Sequence, residues 1–74
     1  MRSSPLPITT PKRLISALKR LGFYDVRQTG SHRQLKRGNL LVTVPMQPGD
    51  VSTRILRSIL RQAHLSVEDL KEAL

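Results

Sequence analysis

Cysteine and tryptophan are missing from this chain, the aromatic residues are one Phe and one Tyr, and only five side chains are acidic. Each shortage excludes something. Without cysteine there is no disulfide staple and no thiolate zinc site, and the reducing cytoplasm is the simplest expected compartment. With so few aromatics there is no ready platform for stacking bases, and Phe23 and Tyr24 are expected in the core. No run approaches the ~18 consecutive apolar residues of a membrane span. The opening "MRSSPLPITTP" lacks the apolar stretch of a signal peptide, so residues 1–9 read as a short leader. Hard cations need several oxygen ligands together. Asp25 and Asp50 stand alone, and Glu68, Asp69 and Glu72 fall near the C-terminus where helix capping accounts for some of them. Neither a metal site nor a cofactor is expected.

What the chain has in excess is positive charge. Thirteen Lys and Arg against five Asp and Glu leave a formal +8 on 74 residues. That balance favours a polyanionic partner, nucleic acid before membrane, and equally permits an acidic protein. A chain of this length makes one domain with a thin core, placed here at residues 10–74.

Thr10 followed by Pro11 reads as a helix start, the hydroxyl accepting from a free backbone N–H and the proline suiting the first helical position. Leu14, Ile15, Leu18 and Leu21 recur at helical spacing, and Gly22 supplies a left-handed stop. From Phe23 the pattern becomes short segments broken by Gly30-Ser31 and Gly38-Asn39, which predicts a meander of three antiparallel strands. With two-residue turns, Val26, Leu35 and Val42 come into register on the apolar face, with Tyr24 and Leu40 near its edge. Asp25, Arg27, His32, Gln34, Lys36, Leu41 and Thr43 then share the opposite face. Ser52 or Thr53 caps a second helix running to about His64, with Ile55, Leu56, Ile59, Leu60 and Ala63 as its buried stripe. Arg54, Arg57 and Arg61 form a basic ladder on another face of that helix. Ser66 and Asp69 make a capping box for a short third helix, residues 66–74, with Leu65 and Leu70 as a hydrophobic staple. The fold class is therefore α+β, α-β-β-β-α, a three-stranded antiparallel sheet with helices on one face plus a short C-terminal helix. Double-stranded RNA-binding domains use this order.

The stretch "GSHRQLKRGN", residues 30–39, holds the one histidine with chemistry to offer. RNA carries its own nucleophile, the 2′-hydroxyl. A protein can cleave it by removing that proton, protonating the leaving 5′-oxygen and stabilising the added phosphorane charge. Histidine, with an unperturbed pKa of ~6.5, suits both transfers. Arg27, Lys36, Arg33 and Ser31 are candidate phosphate contacts, and Gly30 lets the backbone approach a ligand. Ser31 is no nucleophile for its neighbour, because adjacent strand residues point apart. Against this stands the plain reading: a lone histidine beside a turn is more often a solvated surface residue. His64 reads as an ordinary helix-end residue, and the arginine ladder as a contact for RNA or for an acidic partner.

"LISALKRLGFYDVRQTGSHRQLKRGNLLVTVP" followed by "TRILRSILRQAHLSVEDL" resembles the HicA (YcfA-like) toxins of bacterial type II toxin–antitoxin systems, over about residues 12–73. The most specific parts are "LGF" leading through "VRQTGSH", and "LRSILRQAHLS". The resemblance implies a fold similar to double-stranded RNA-binding domains and a metal-independent mRNA endonuclease that arrests translation. It places the active-site histidine of the Gly-Ser-His motif on His32, and a further function-linked position on Gly22. It also implies a HicB-type antitoxin that binds the toxin, covers the histidine and commonly represses its own operon. The toxin alone is then expected to be monomeric and to form a hetero-oligomer with the antitoxin. Three departures stand out. Leu35 replaces a frequent aromatic, Met46-Gln47-Pro48 follows "VTVP" where many members have a histidine, and His64 replaces the glycine usual before "LS". The expectation is a ribonuclease toxin with His32 as general base or acid. The alternatives are a non-catalytic RNA-binding module on the same fold and a regulatory protein that binds an acidic partner.

Overall fold

Local chemistry sets the helix ends. In the computed structural model, which describes residues 5–74, the Thr10 hydroxyl accepts from the Arg13 N–H and Pro11 opens α1, Pro11–Arg20. Ser52 caps α2, Thr53–Ala63, by accepting from the Ile55 N–H. Ser66 and Asp69 exchange both bonds of a capping box at the start of α3, Val67–Ala73. The first four residues of the expected leader lie outside the described residues. Of its remainder, Leu6 packs against the core, Thr9 is buried, and the Thr9 carbonyl accepts from the Val51 N–H.

The two longer helices end in the same motif. After α1 the Gly22 N–H donates to Lys19 and the Phe23 N–H to Leu18. After α2 the His64 N–H donates to Arg61 and the Leu65 N–H to Leu60. Both are Schellman closures, which need a left-handed residue between helix and exit. Gly22 fills that position at φ +100°, and His64 fills the other at φ 56° and ψ 42°. A Cβ in this region costs roughly 1–2 kcal/mol, part of which glycine returns through its freer unfolded chain. His64→Gly is therefore expected to stabilise the protein by about 1 kcal/mol, raising its melting temperature by roughly 4–8 °C for a domain of this size. Thermal unfolding followed by circular dichroism measures this, and an unchanged midpoint would show that the histidine carries no strain.

The strands are β1, Tyr24–Thr29, β2, His32–Arg37, and β3, Leu40–Pro45, in sheet order β1-β2-β3 and antiparallel throughout. Two-residue loops join them, with Thr29 opposite His32 and Arg37 opposite Leu40. Gly30 and Gly38 open these loops at φ +56° and +58°, the position a type II′ turn reserves for glycine. Leu35 and Val42 pair as expected, and with Val44 they are fully buried against Leu14, Leu18, Leu56 and Ile59. All three helices contribute to this core, α3 through Leu70 and Ala73, and the Arg20 Nε donates to the Ala73 carbonyl at 2.8 Å. The outer edge of β3 is covered by α2, where Gln62 Oε1 accepts from the Thr43 N–H at 3.1 Å and Gln62 Nε2 donates to Ser58 at 3.0 Å. Every residue of β1, by contrast, is exposed.

The register of β1 differs from the one its alternation suggests. The pairing shifts between Asp25 and Arg27, so Asp25 rather than Val26 lies opposite Leu35, and Val26 is the extra residue of a β-bulge, half-exposed. This corrects three expectations. Val26 is not in the core register. Asp25 is on the helix side of the sheet, where Lys19 of α1 holds it at 2.7 Å and Arg33 at 2.9 Å. Tyr24, opposite Lys36, faces away from the helices and is half-exposed, while Phe23 is buried as expected.

The candidate active site on the open sheet face

The bulge re-sorts the two faces, and the one turned away from the helices becomes a grid of three rows. Thr29, His32 and Pro45 form the first, Arg27, Gln34 and Thr43 the second, and Tyr24, Lys36 and Leu41 the third. None of the nine carries a carboxylate. His32 begins β2 directly after the Gly30-Ser31 loop and is exposed. Its backbone is held by the ladder on both sides, and one residue before it the Ser31 carbonyl accepts from the Met46 N–H, extending the pairing past Pro45. Proline has no N–H to give there. A side chain on so fixed a backbone can present a ring nitrogen to a ligand in a repeatable position.

Around His32 the candidate residues separate. Arg27 lies across from Gln34, which puts it diagonal to His32 at roughly 7–8 Å between Cα atoms. Lys36 shares the face but stands four residues along the strand, about 13 Å away, and suits a neighbouring phosphate better than the one at His32. Arg33 points to the helix side, and its guanidinium grips Asp25 through two bonds of 2.9 and 3.1 Å. It is therefore not free to contact the same phosphate as His32. Gly30 has open space around the position of a Cβ, and Ser31 is exposed beside it. Arg54, Arg57 and Arg61 are exposed on α2, an element packed on the other side of the sheet from His32. Gly22 does not belong to the grid. It turns the chain after α1, and an added Cβ would come within 3.1 Å of the Arg37 side chain.

The Asp25 cluster leaves a measurable trace. Hydrogen bonds from Arg33 and then Lys19 lower its pKa from the ordinary 3.8 to about 2, with slight burial opposing them. The depressed value means that the carboxylate contributes stability in full above about pH 4, and that this contribution is lost as pH falls toward 2. The group is substantially exposed, so screening keeps the effect within the range of surface pairs, up to about 1 kcal/mol. Asp25→Asn is expected to lower the melting temperature by a few degrees at pH 7 and low salt and by clearly less at pH 2, where about half of the carboxylate is protonated. Equal losses at both pH values would show that the carboxylate charge is not what holds the bulge.

Tyr24 is the face residue that sequence reasoning missed. Strict alternation from Val26 put it at the rim of the core, and only the bulge turns it outward. Among the described residues no group of three or more His, Cys, Asp or Glu is placed to hold a metal, and no helix is long and apolar enough to cross a membrane.

The family model for the HicA toxin of bacterial toxin–antitoxin systems matches residues 11–65, from the first residue of α1 to the exit from α2. The chain belongs to the HicA toxin family. A search of curated proteins returns no match. As a HicA toxin it is the toxin half of a toxin–antitoxin pair, and an antitoxin is its partner. The match spans the helix–sheet–helix unit that carries both the His32 grid and the Gly22 turn, and it stops before α3.

Proposed function

We propose that this HicA toxin is a metal-independent endoribonuclease that cuts mRNA, with His32 moving a proton in the cleavage step, and that a HicB-type antitoxin neutralises it by covering the His32 face. What supports the reading best is the setting of His32. It is exposed on a sheet face without carboxylates, with Arg27 diagonal to it and Lys36 further along the same strand. A phosphodiester drawn to such a face meets cations and one group able to exchange a proton near neutral pH. In the cleavage itself the RNA 2′-oxygen gives up its proton and bonds to phosphorus, while the bond to the 5′-oxygen breaks and that oxygen gains a proton. His32 serves one of these two transfers, and Arg27 balances the charge that builds on the phosphate oxygens. The Met46-Gln47-Pro48 segment offers no second histidine. His32 is therefore the one imidazole this face offers for either transfer.

The test is incubation of purified toxin with a long single-stranded RNA in EDTA. Fragments are expected, and the HicB-type antitoxin, added in equal amount, is expected to stop their formation. RNA that is bound but left intact, in EDTA and in magnesium alike, would replace this reading with that of a non-catalytic RNA-binding module. Intact and unbound RNA beside a tight complex with the antitoxin would instead favour a purely regulatory protein.

A further inference from the structure

Four large hydrophobic side chains are substantially exposed among the described residues, and three of them, Tyr24, Val26 and Leu41, are on the sheet. Tyr24 is 53 % exposed, and its hydroxyl makes no hydrogen bond among the described residues. A chain with a single Phe and a single Tyr has buried one beneath the sheet and left the other on top of it. Its place is the third row of the grid, opposite Lys36, with Leu41 beyond. A lone apolar residue at a surface is ordinary. An aromatic ring on the same carboxylate-free face as Arg27, His32 and Lys36 is a more specific arrangement. Cations alternating with an aromatic surface are what unpaired bases on a phosphate backbone recognise, since the ring takes a base face and the cations take the phosphates.

We infer that Tyr24 is a base-stacking subsite for single-stranded RNA. The RNA runs along β2 from the phosphate at His32, past Gln34, to a base laid on the Tyr24 ring. The inference rests on the ribonuclease reading for the identity of the RNA ligand. The geometry sets the spacing. Rows one and three are about 13 Å apart, which equals about four fully stacked nucleotide steps and fewer if the strand is extended. The stacked base is thus separated by a few nucleotides at most from the bond that His32 attacks. Gln34, between the two rows, carries an amide able to donate to and accept from a base edge. Duplex RNA cannot use this subsite, because its bases are already stacked on one another and withdrawn from a flat sheet. The face therefore selects single strands, although the α-β-β-β-α order is that of modules for duplex RNA.

Because Tyr24 is the only tyrosine and the chain has no tryptophan, its intrinsic fluorescence reports on this one ring. The experiment uses the His32→Ala protein, so that RNA stays intact, and titrates it with single-stranded RNA oligonucleotides. Saturable quenching is expected, and it should disappear when an abasic nucleotide occupies one particular position. Tyr24→Ala in the same background is expected to weaken binding by about tenfold to a hundredfold, and Tyr24→Phe to restore most of it. As a half-exposed residue, Tyr24 can be truncated without opening the core, and unfolding curves of the three proteins check this. Unquenched fluorescence with equal affinity of the Ala variant overturns the inference and moves RNA elsewhere, the α2 arginines being the next basic surface. Tighter binding of duplex than of single strand overturns it as well, as does quenching by the antitoxin but not by RNA. Cleavage by the otherwise wild-type protein keeps the two readings apart. If Tyr24→Ala cuts at the wild-type rate and sites, the subsite falls and the nuclease stands. If RNA quenches Tyr24 but the wild-type protein cuts nothing, the nuclease falls and the subsite stands.

Discussion

His32→Ala is expected to slow RNA cleavage by about 10²–10⁴-fold, the range that positioned acid–base groups contribute, with little change in stability or in RNA affinity. The expectation of unchanged stability comes from the surroundings. His32 is exposed, its neighbours across the ladder are Thr29 and Pro45, and it is no part of the buried core cluster. Affinity should persist because the cations of the face remain. His32→Gln separates proton transfer from hydrogen bonding, since glutamine can reach a phosphate oxygen but does not titrate, and it should be as inactive as the alanine variant. Single-turnover cleavage in EDTA, with unfolding curves and RNA binding measured on the same preparations, gives all three quantities. Wild-type rates in the alanine variant would remove histidine from the mechanism. A rate recovered in the glutamine variant would limit its role to holding the phosphate.

The elements that sequence reasoning located are those governed by chemistry within a few residues. Thr10-Pro11, Ser52 and the Ser66/Asp69 pair cap helices through bonds to the next turn, and Gly30 and Gly38 set two-residue loops by their own φ values. Those loops then fix the Leu35–Val42 pairing with no need of further information. The bulge in β1 is different. The run Tyr24-Asp25-Val26-Arg27 alternates as a regular strand would, and the groups that meet Asp25 once the bulge turns it inward lie at a distance, Lys19 on α1 and Arg33 on β2. Placed outward, Asp25 would have been the one carboxylate on a basic face. That mismatch was the available signal. The error passed directly into the site, because it hid Tyr24 and counted Arg33 among the free cations. His32 itself has no composition or spacing that separates it from a solvated histidine. The resemblance to HicA toxins singled it out, and the grid around it shows only what its neighbours can do.

Gly22→Ala is expected to destabilise the toxin by about 1–3 kcal/mol, the range for a non-glycine residue held at positive φ, while the protein that remains folded cuts RNA normally. The backbone argument is reinforced by packing. The Arg37 side chain, 3.1 Å from the added Cβ, donates to the Leu21 carbonyl and lies 5.0 Å from the centre of the Phe23 ring. The methyl group therefore pushes against a side chain tied on both sides of the turn. A domain of this size has roughly 4–11 kcal/mol in total, so the loss is enough to reduce toxin levels in a cell and to look like loss of function. Compensation distinguishes the two. His64→Gly relaxes the matching turn after α2, whose hydrogen-bond partners are different residues, and changes at sites without shared partners add to within about 0.5 kcal/mol. The double variant Gly22→Ala/His64→Gly should recover part of the lost stability and, with it, cleavage and toxicity. If stability returns and cleavage does not, Gly22 has a task at the RNA that a turn alone cannot explain. If both return together, its link to function runs through the Schellman turn that seats Phe23 in the core beneath the sheet.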